Sequence, residues 1–397
     1  MMELYAFGHS VHDEWTQKPS QPPAPVPVLS AQSLEILWAS WCDLIIAHSP
    51  ENQSRNCTDL QITYYGTSLL PRHAAYINSL TYSPSHPLTF FGTKLHEGLK
   101  GFISRSDRQV RVFRSERESK EDELGIEVGD FESLGCEISD IQFTSREHGL
   151  ACINEGEKGT GGNKGIIELP SLNHLLRHLQ SHMDEPISHP PYQVSQICIF
   201  IPAQWTTNAT TVTALDDEGT IYTYAEDMRY PKCLGRERLD RGTAAQPIPY
   251  FSETTVSRIA SGGYYTCAIT SDGELFIWGQ SPPGIDNELS VLQRQSEDGD
   301  EDEFVRSVEL LIEGRAATVT DVAVGWGHVL VAAEVQAGSG VLRAVFAAGC
   351  NERGQLGLGS KTSECVFVED FTEVKAFRGK KTRGIACAGW SSYVMIE

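Results

Sequence analysis

Apolar positions along this chain fall in short runs that alternate or run continuously, separated by glycine pairs and polar turns. The clearest unit is Ile259 to Gly279, IASGGYYTCAITSDGELFIWG. It reads as an apolar strand, the pair Gly262-Gly263, a second apolar strand, a turn at Asp272-Gly273, and a third strand ending in Trp278-Gly279. Asp-Gly between two β-rich runs is a strong hairpin signal, because the favoured two-residue turns need positive φ. One segment alone, Pro170 to Met183, carries a helical stripe: Leu172, Leu175, Leu176, Leu179 and Met183, with Ser171 as a candidate N-cap.

The unit recurs. A second copy begins at Val322 (VAVGWGHVLVAAE), passes through a longer hairpin at Gly338 and Gly340, and ends at Gly349. A third begins at Ile385 (IACAGWSSYVMIE) and stops after one hairpin strand. A fourth begins near Trp205, with the hairpin TALDDEGTIYTYAED turning at Gly219, and a fifth near Ile36 (ILWASWCDLIIAH, then ITYYG to Gly66). Trp205 to Ile259 spans 54 residues, and the next two intervals are 63 each. Between Ile36 and Trp205 lie 169 residues, room for two further degenerate copies, one near Ile141 and one including Thr89 to Ser104. That makes seven units, and the interval from Ile385 through the chain ends to Ile36, 48 residues, resembles the internal ones.

Repeats of this length, each too small to bury its own faces, predict stacked sheets. The pattern predicts an all-β, seven-bladed β-propeller, a single domain over residues 1–397. The clear repeats are 205–397 plus 1–8, the degenerate ones 30–204, and a disordered insertion is expected over 290–303. The incomplete last copy needs an outer strand, and Leu4 to Gly8 (LYAFG) matches Leu275 to Gly279 (LFIWG), so the N-terminal strand closes the propeller. Such closure protects strand edges.

The repeat resembles that of the regulator of chromosome condensation family, whose unit reads Gly-x-x-His, apolar strand, Gly turn, aromatic-x-Trp-Gly, then Asn-x-x-Gly-Gln-Leu-Gly. Gly325-Trp326-Gly327-His328 matches the first part, and Gly349 through Asn351, Gly354, Gln355, Leu356 and Gly357 the last. Asp227 to Arg236 looks like a diverged copy of the same loop. No Trp-Asp dipeptide occurs, which argues against the propeller family named for it. The residues give these positions structural roles: Gly354 and Gly357 permit tight turns, Gln355 satisfies backbone groups, and His328 is expected to bond backbone within its own blade.

The net charge of −21 opposes direct binding to nucleic acid, whose affinity comes mostly from Lys and Arg on phosphates, and suits basic protein partners. No basic segment followed by an apolar stretch opens the chain, and no run approaches membrane-spanning length. Ten cysteines are scattered without a C-x-x-C pair, several inside apolar strands, as expected of a reducing compartment, cytoplasmic or nuclear or both. The sequons at Asn52, Asn56 and Asn208 then read as chance matches. A monomer is expected.

Sharper chemical readings are weaker. His174, His178 and His182 share a helix face but have no carboxylate or Cys partner. Gly156 to Gly165 (GEKGTGGNKG) lacks Walker spacing and reads as a hairpin tip. Ser296 to Glu303 reads as a solvated acidic loop, and Pro19 to Pro27 as a stiff connector into the next blade. No catalytic, cofactor or metal site is expected. The resemblance implies a non-catalytic scaffold that binds a protein partner through propeller loops, with Asp227, Arg229, Tyr230 and Arg236 as partner-binding candidates. It also implies two alternatives: nucleotide exchange on a Ran-type small GTPase, and a regulatory partner role in tRNA-modification, diphthamide or tubulin-related pathways. The second is suggested by the single-propeller α-tubulin suppressor-like and short chromosome-condensation-repeat proteins.

Overall fold

The computed structural model describes residues 1–9, 24–50, 59–94, 97–114, 125–155 except 131–135, 164–174, 194–225, 227–237, 244–293, 304–359 and 366–397. Among the described residues, seven four-stranded antiparallel sheets make up a seven-bladed β-propeller. The described residues form two compact units.

The unit Ser33–Pro202 holds three blades. Blade 1 is Leu34–Ala39, Asp43–His48, Leu60–Gly66 and Thr81–Tyr82. Blade 2 is Leu88–Thr93, Gly98–Ser104, Gln109–Phe113 and Ile126–Asp130. Blade 3 is Cys136–Phe143, Gly149–Glu155, Lys164–Leu169 and Ser195–Cys198. The other unit holds four. Blade 4 is Gln204–Thr207, Thr211–Leu215, Ile221–Ala225 and Gln246–Pro247. Blade 5 is Val256–Gly262, Tyr265–Thr270, Leu275–Gly279 and Arg306–Val308. Blade 6 is Thr318–Val324, His328–Ala337, Gly340–Cys350 and Phe367–Glu373. Blade 7 joins Thr382–Ala388 and Ser391–Ile396 to Met2–Gly8 and Val26–Ala31.

The two-residue period of a strand explains the packing. In blade 6, Val329 and Val331 face blade 5, packing with Tyr265, Cys267 and Ile277. Leu330 and Ala332, one residue out of phase, face blade 7, packing with Ile385, Val394 and Phe377. A second strand covered on both faces reads as a continuous apolar run, the pattern that marked each repeat. Each fully buried Val, Leu, Ile or Phe side chain among these is worth about 1.5–3 kcal/mol of transfer free energy.

Neighbouring first strands are also stapled by polar groups. Gln204 in blade 4 donates from Nε2 to the Ile259 carbonyl at 2.7 Å and accepts from the Ile259 N–H at 3.0 Å. Asp321 in blade 6 pairs with Arg258 of blade 5 at 2.9 Å and accepts from the Ile385 N–H of blade 7 at 3.1 Å.

Several expectations need correction. Of the expected Pro19 to Pro27 connector, residues 19–23 lie outside the described residues, and residues 26–27 are strand rather than connector. Val26–Ala31 pairs with Met2–Gly8 as the fourth strand of blade 7, so the N-terminal segment contributes two strands rather than one. A second helix exists, Pro71–Asn78, which buries His73 and Ile77. Ser290–Gln293, within the expected disordered insertion, is helical. Of the Pro170–Met183 helix, residues 172–174 are helical and the remainder, with His178 and His182, lies outside the described residues. The acidic stretch Ser296 to Glu303 and most of the Gly156 to Gly165 tip also lie outside them.

Candidate functional site

The turn joining first and second strands, and the end of the third strand, lie at the same end of each blade. Their geometry explains the glycine of the aromatic-x-Trp-Gly signature. Gly279 and Gly349 have φ of +114° and +101°. A Cβ on either would overlap the carbonyl oxygen of Tyr264 or Gly327 in the preceding turn. Those carbonyls accept the next N–H, from Gln280 at 3.2 Å and Cys350 at 2.7 Å. Gly8 repeats the device against Trp390, whose carbonyl accepts from His9 N–H at 2.9 Å.

The other repeat positions are structural too. Gly273 (φ +81°) closes the Asp272 hairpin, its N–H donating to the Thr270 carbonyl at 3.0 Å. Gly262 and Gly263 lie against the backbone of Val324, Gly325 and Gly327 in blade 6, with no room for a side chain at Gly262. Trp278 is fully buried between blades 4 and 5. In the blade 6 loop, the Gln355 Oε1 accepts from Arg353 N–H at 2.8 Å and the Asn351 Oδ1 from Leu356 N–H at 3.2 Å. Gly354 (φ +74°) and Gly357 (φ +64°) supply the left-handed turns, and Leu356 is buried. His328 interacts with backbone at Trp326 in its own blade and also reaches beyond it. Its Nε2 meets the Ser392 hydroxyl of blade 7 at 3.0 Å, and that hydroxyl donates to the Gln355 carbonyl at 2.8 Å. Gly325 makes room for the imidazole. Full burial pushes the His328 pKa down to about 4, so the ring is neutral and structural.

The Asp227–Arg236 loop follows the third strand of blade 4. It turns through a 3₁₀ helix at Pro231–Leu234 and exits at Gly235 in the left-handed region, packed on Trp278. Its four candidates divide. Arg236 is buried, donating to the Thr223 hydroxyl at 3.1 Å and carbonyl at 3.0 Å, so it serves the loop. Asp227 is also buried, and its carboxylate accepts from the Arg229 Nε at 3.0 Å and Nη2 at 2.5 Å. Arg229 is exposed, its guanidinium 5.6 Å from the centroid of Tyr230. The paired carboxylate raises the Arg229 pKa.

Tyr230 opens an aromatic row that sequence reasoning did not assemble. Its ring lies 4.9 Å from Tyr264, and Tyr264 lies 5.5 Å, edge-on, from Trp326. The Trp326 N–H donates to the Gly389 carbonyl at 2.7 Å, and next to it Trp390 meets His9 edge-on at 5.9 Å. All of these aromatic rings are partly exposed, and Met228 beside the row is 42% exposed. The readable signal was an aromatic directly after the turn glycine in successive repeats, Gly263-Tyr264, Gly325-Trp326 and Gly389-Trp390. Trp41 occupies that turn in blade 1.

Asp43, fully buried in blade 1, accepts from Tyr64 OH at 2.6 Å, Ser68 Oγ at 2.6 Å and the Leu99 N–H of blade 2 at 2.9 Å. The adjacent Cys42 is pushed up to about 12 by burial and by Asp43, which suppresses its thiolate. Asn208 is buried, its Oδ1 accepting from the N–H groups of Thr210 and Thr211, so its sequon is closed to modification in the fold. Among the described residues no cluster of His, Cys, Asp and Glu could hold a metal ion, and no helix is long and apolar enough to cross a membrane.

Two models of the regulator of chromosome condensation repeat match the chain, over residues 256–282 and 344–395. The chain carries regulator of chromosome condensation repeats. The matches fall on blade 5 and on the span from the third strand of blade 6 through blade 7, where the turn glycines and the Asn351–Gly357 loop lie. Prp20p from Saccharomyces cerevisiae is similar in structure over 100% of this chain and 91% of its own, with a TM-score of 0.58 at 12% identity. The yeast repeat protein bound to Kap60 covers 100% and 88%, with a TM-score of 0.55 at 12% identity. Human WBSCR16 covers 100% and 99%, with a TM-score of 0.42 at 12% identity. At such identity the likeness shows the fold alone. No curated protein matches significantly in sequence.

Proposed function

We propose that this repeat protein is a non-catalytic scaffold that binds a protein partner at the end of blades 4 to 7 bearing the aromatic row. The carrying observation is the run Tyr230–Tyr264–Trp326, partly exposed on rigid turns beside Met228 and Arg229. Aromatic and Arg side chains are the residues that concentrate binding energy in interfaces, and turns fixed by buried sheets present them already ordered. The net charge of −21 favours a partner with basic character.

A second reading is nucleotide exchange on a Ran-type small GTPase. Its support is the likeness of fold to Prp20p, whose crystal structure was described together with its binding properties to Gsp1p and histones. The two readings separate in one experiment. The tagged protein is purified from its own cells, and co-purifying proteins are identified by mass spectrometry. The same is done for the double variant Y264A/W326A and for D217A/E218A on a hairpin at the opposite end. The scaffold reading expects a partner retained by D217A/E218A and lost from Y264A/W326A with the melting temperature unchanged. A partner retained equally by all three proteins overturns it. A GTPase whose recovery rises when EDTA strips its nucleotide moves exchange to first place.

A further inference from the structure

The Asp227–Arg236 loop contains a seat whose walls are fixed and whose occupant is not. The Asp227 side chain is 11% exposed, and its backbone is tied by its N–H to the Thr210 carbonyl at 3.2 Å. Tyr230 is held by the 3₁₀ turn that follows, its carbonyl accepting from Cys233 N–H at 3.1 Å, and its ring rests on Tyr264. The loop's far end is locked by the buried Arg236. The Arg229 side chain, in contrast, is 77% exposed. It reaches back over two residues to place its guanidinium against the carboxylate and over the Tyr230 ring.

A nearly buried carboxylate beside an aromatic face is complementary to one side chain above others. A planar guanidinium offers a fork of N–H donors to the two oxygens and stacks on the ring, whereas an ammonium offers a hydrated point charge. The forked contact holds Arg229 in place, but with its side chain 77% exposed water competes for the guanidinium, and a long side chain must be ordered to keep it. A second guanidinium that keeps the carboxylate paired and adds contacts on Met228, Tyr264 and Trp326 competes with the first for the same fork.

We propose that the Asp227–Tyr230–Tyr264 seat takes an arginine side chain from an extended basic segment of a partner protein, and that Arg229 is a built-in occupant which that arginine displaces. This rests on the reading of the aromatic end as the docking face, and it names the chemistry that the face selects. The chain's acidity steers basic segments towards it, and Asp227 Oδ1, which also accepts from the Arg229 backbone N–H at 3.1 Å, keeps its place when the side chain of Arg229 leaves.

The test uses the full-length protein and fluorescence anisotropy. The probe is a fluorescein-labelled peptide, Gly-Ser-Gly-Arg-Gly-Arg-Gly-Ser-Gly, with matched peptides carrying Lys or citrulline in place of Arg. Arg229→Ala removes the internal competitor, so the arginine peptide should bind about threefold to tenfold more tightly than to the wild type, the factor by which Arg229 occupies the seat. Asp227→Asn keeps an acceptor for the Arg229 N–H but removes the charge, and should weaken binding at least about tenfold. The Lys and citrulline peptides should bind more weakly than the Arg peptide to Arg229→Ala. Unchanged or weaker binding of the arginine peptide to Arg229→Ala overturns the proposal, as does equal binding of the Lys peptide or no binding to Arg229→Ala at millimolar peptide. If the native partner is lost from Y264A/W326A while Arg229→Ala fails to tighten the peptide, the docking face stands and the seat is refuted. If Arg229→Ala tightens the peptide but the native partner ignores Y264A/W326A, the seat binds arginine and the docking reading falls.

Discussion

Gly349→Ala isolates the contact that ties a third strand to the turn before its neighbour. Gly349 has φ of +101°, and an added Cβ would overlap the Gly327 carbonyl oxygen and come within 2.9 Å of the His328 Cα. Both obstacles are backbone, so neither can swing aside. Left-handed backbone costs an L-residue about 1–2 kcal/mol. Pushing the strand away also breaks the bond from Cys350 N–H to the Gly327 carbonyl, and leaving a buried group unsatisfied costs about 1–3 kcal/mol. Together the loss should be near 4 kcal/mol. The control is Gly338→Ala at the tip of the same blade's long hairpin, where φ is +62° and nothing lies within 4 Å of the added carbon. It should cost about 1 kcal/mol from backbone conformation alone. With an unfolding entropy near 2.1 cal/mol/K per residue, the melting temperature should fall about 5 °C for Gly349→Ala and about 1 °C for Gly338→Ala. Differential scanning calorimetry at one scan rate measures both. If Gly349→Ala falls no further than Gly338→Ala, the glycine is not there to admit the turn carbonyl, and the explanation of the repeat signature fails.

Two further outcomes follow from polar groups inside the blades. The unfolded His328 protonates near pH 6.5, whereas the folded residue does so only near 4. Between these values the unfolded chain binds the extra proton, so stability falls with falling pH by about 1.4 kcal/mol per unit from this group. The difference in unfolding free energy between wild type and H328Q should track that slope from pH 6.5 to 4 and be flat above pH 7.5; Asp140, raised to about 6 by burial, is common to both proteins and cancels. Gln204→Ala strips the Ile259 N–H and carbonyl of their partners, which should cost about 2 kcal/mol in denaturant unfolding and speed hydrogen exchange at the Ile259 amide; unchanged exchange there would refute the staple.

The repeat was legible because blades 5 and 6 bury their second strands on both faces. Tyr265–Thr270 (YTCAIT) is buried throughout, so the strand carries no charged residue and stands out between the turn glycines. Fourth strands were not legible. Phe367–Glu373 (FVEDFTE) is half-exposed at a sheet edge, and Gln246–Pro247 is two residues long, so neither carries an alternation. Val26–Ala31 was hidden by the prolines around it, which an edge strand tolerates where its N–H groups face away from the ladder. The loop candidates were only partly separable by eye. Asp227, Arg229 and Arg236 look alike in sequence as charged loop residues, and only coordinates show that Thr223 has captured Arg236 while Arg229 reaches solvent. Tyr264 and Trp326 were visible as letters, but their contact joins residues 62 positions apart in neighbouring blades.

Blade 7 has a temporal consequence. Glu3 lies opposite Ile396, so the two strand pairs of this blade are separated in synthesis by the six other blades. At about 5–20 residues per second, Met2–Gly8 waits roughly 20 to 80 s for Ser391–Ile396. Through that interval Leu4, Ala6 and Phe7, all destined for burial, have no partner strand from the C-terminal pair. The nascent protein therefore carries one half-built sheet while the six other blades are made, and a ribosome that stalls before Ser391–Ile396 leaves that sheet incomplete.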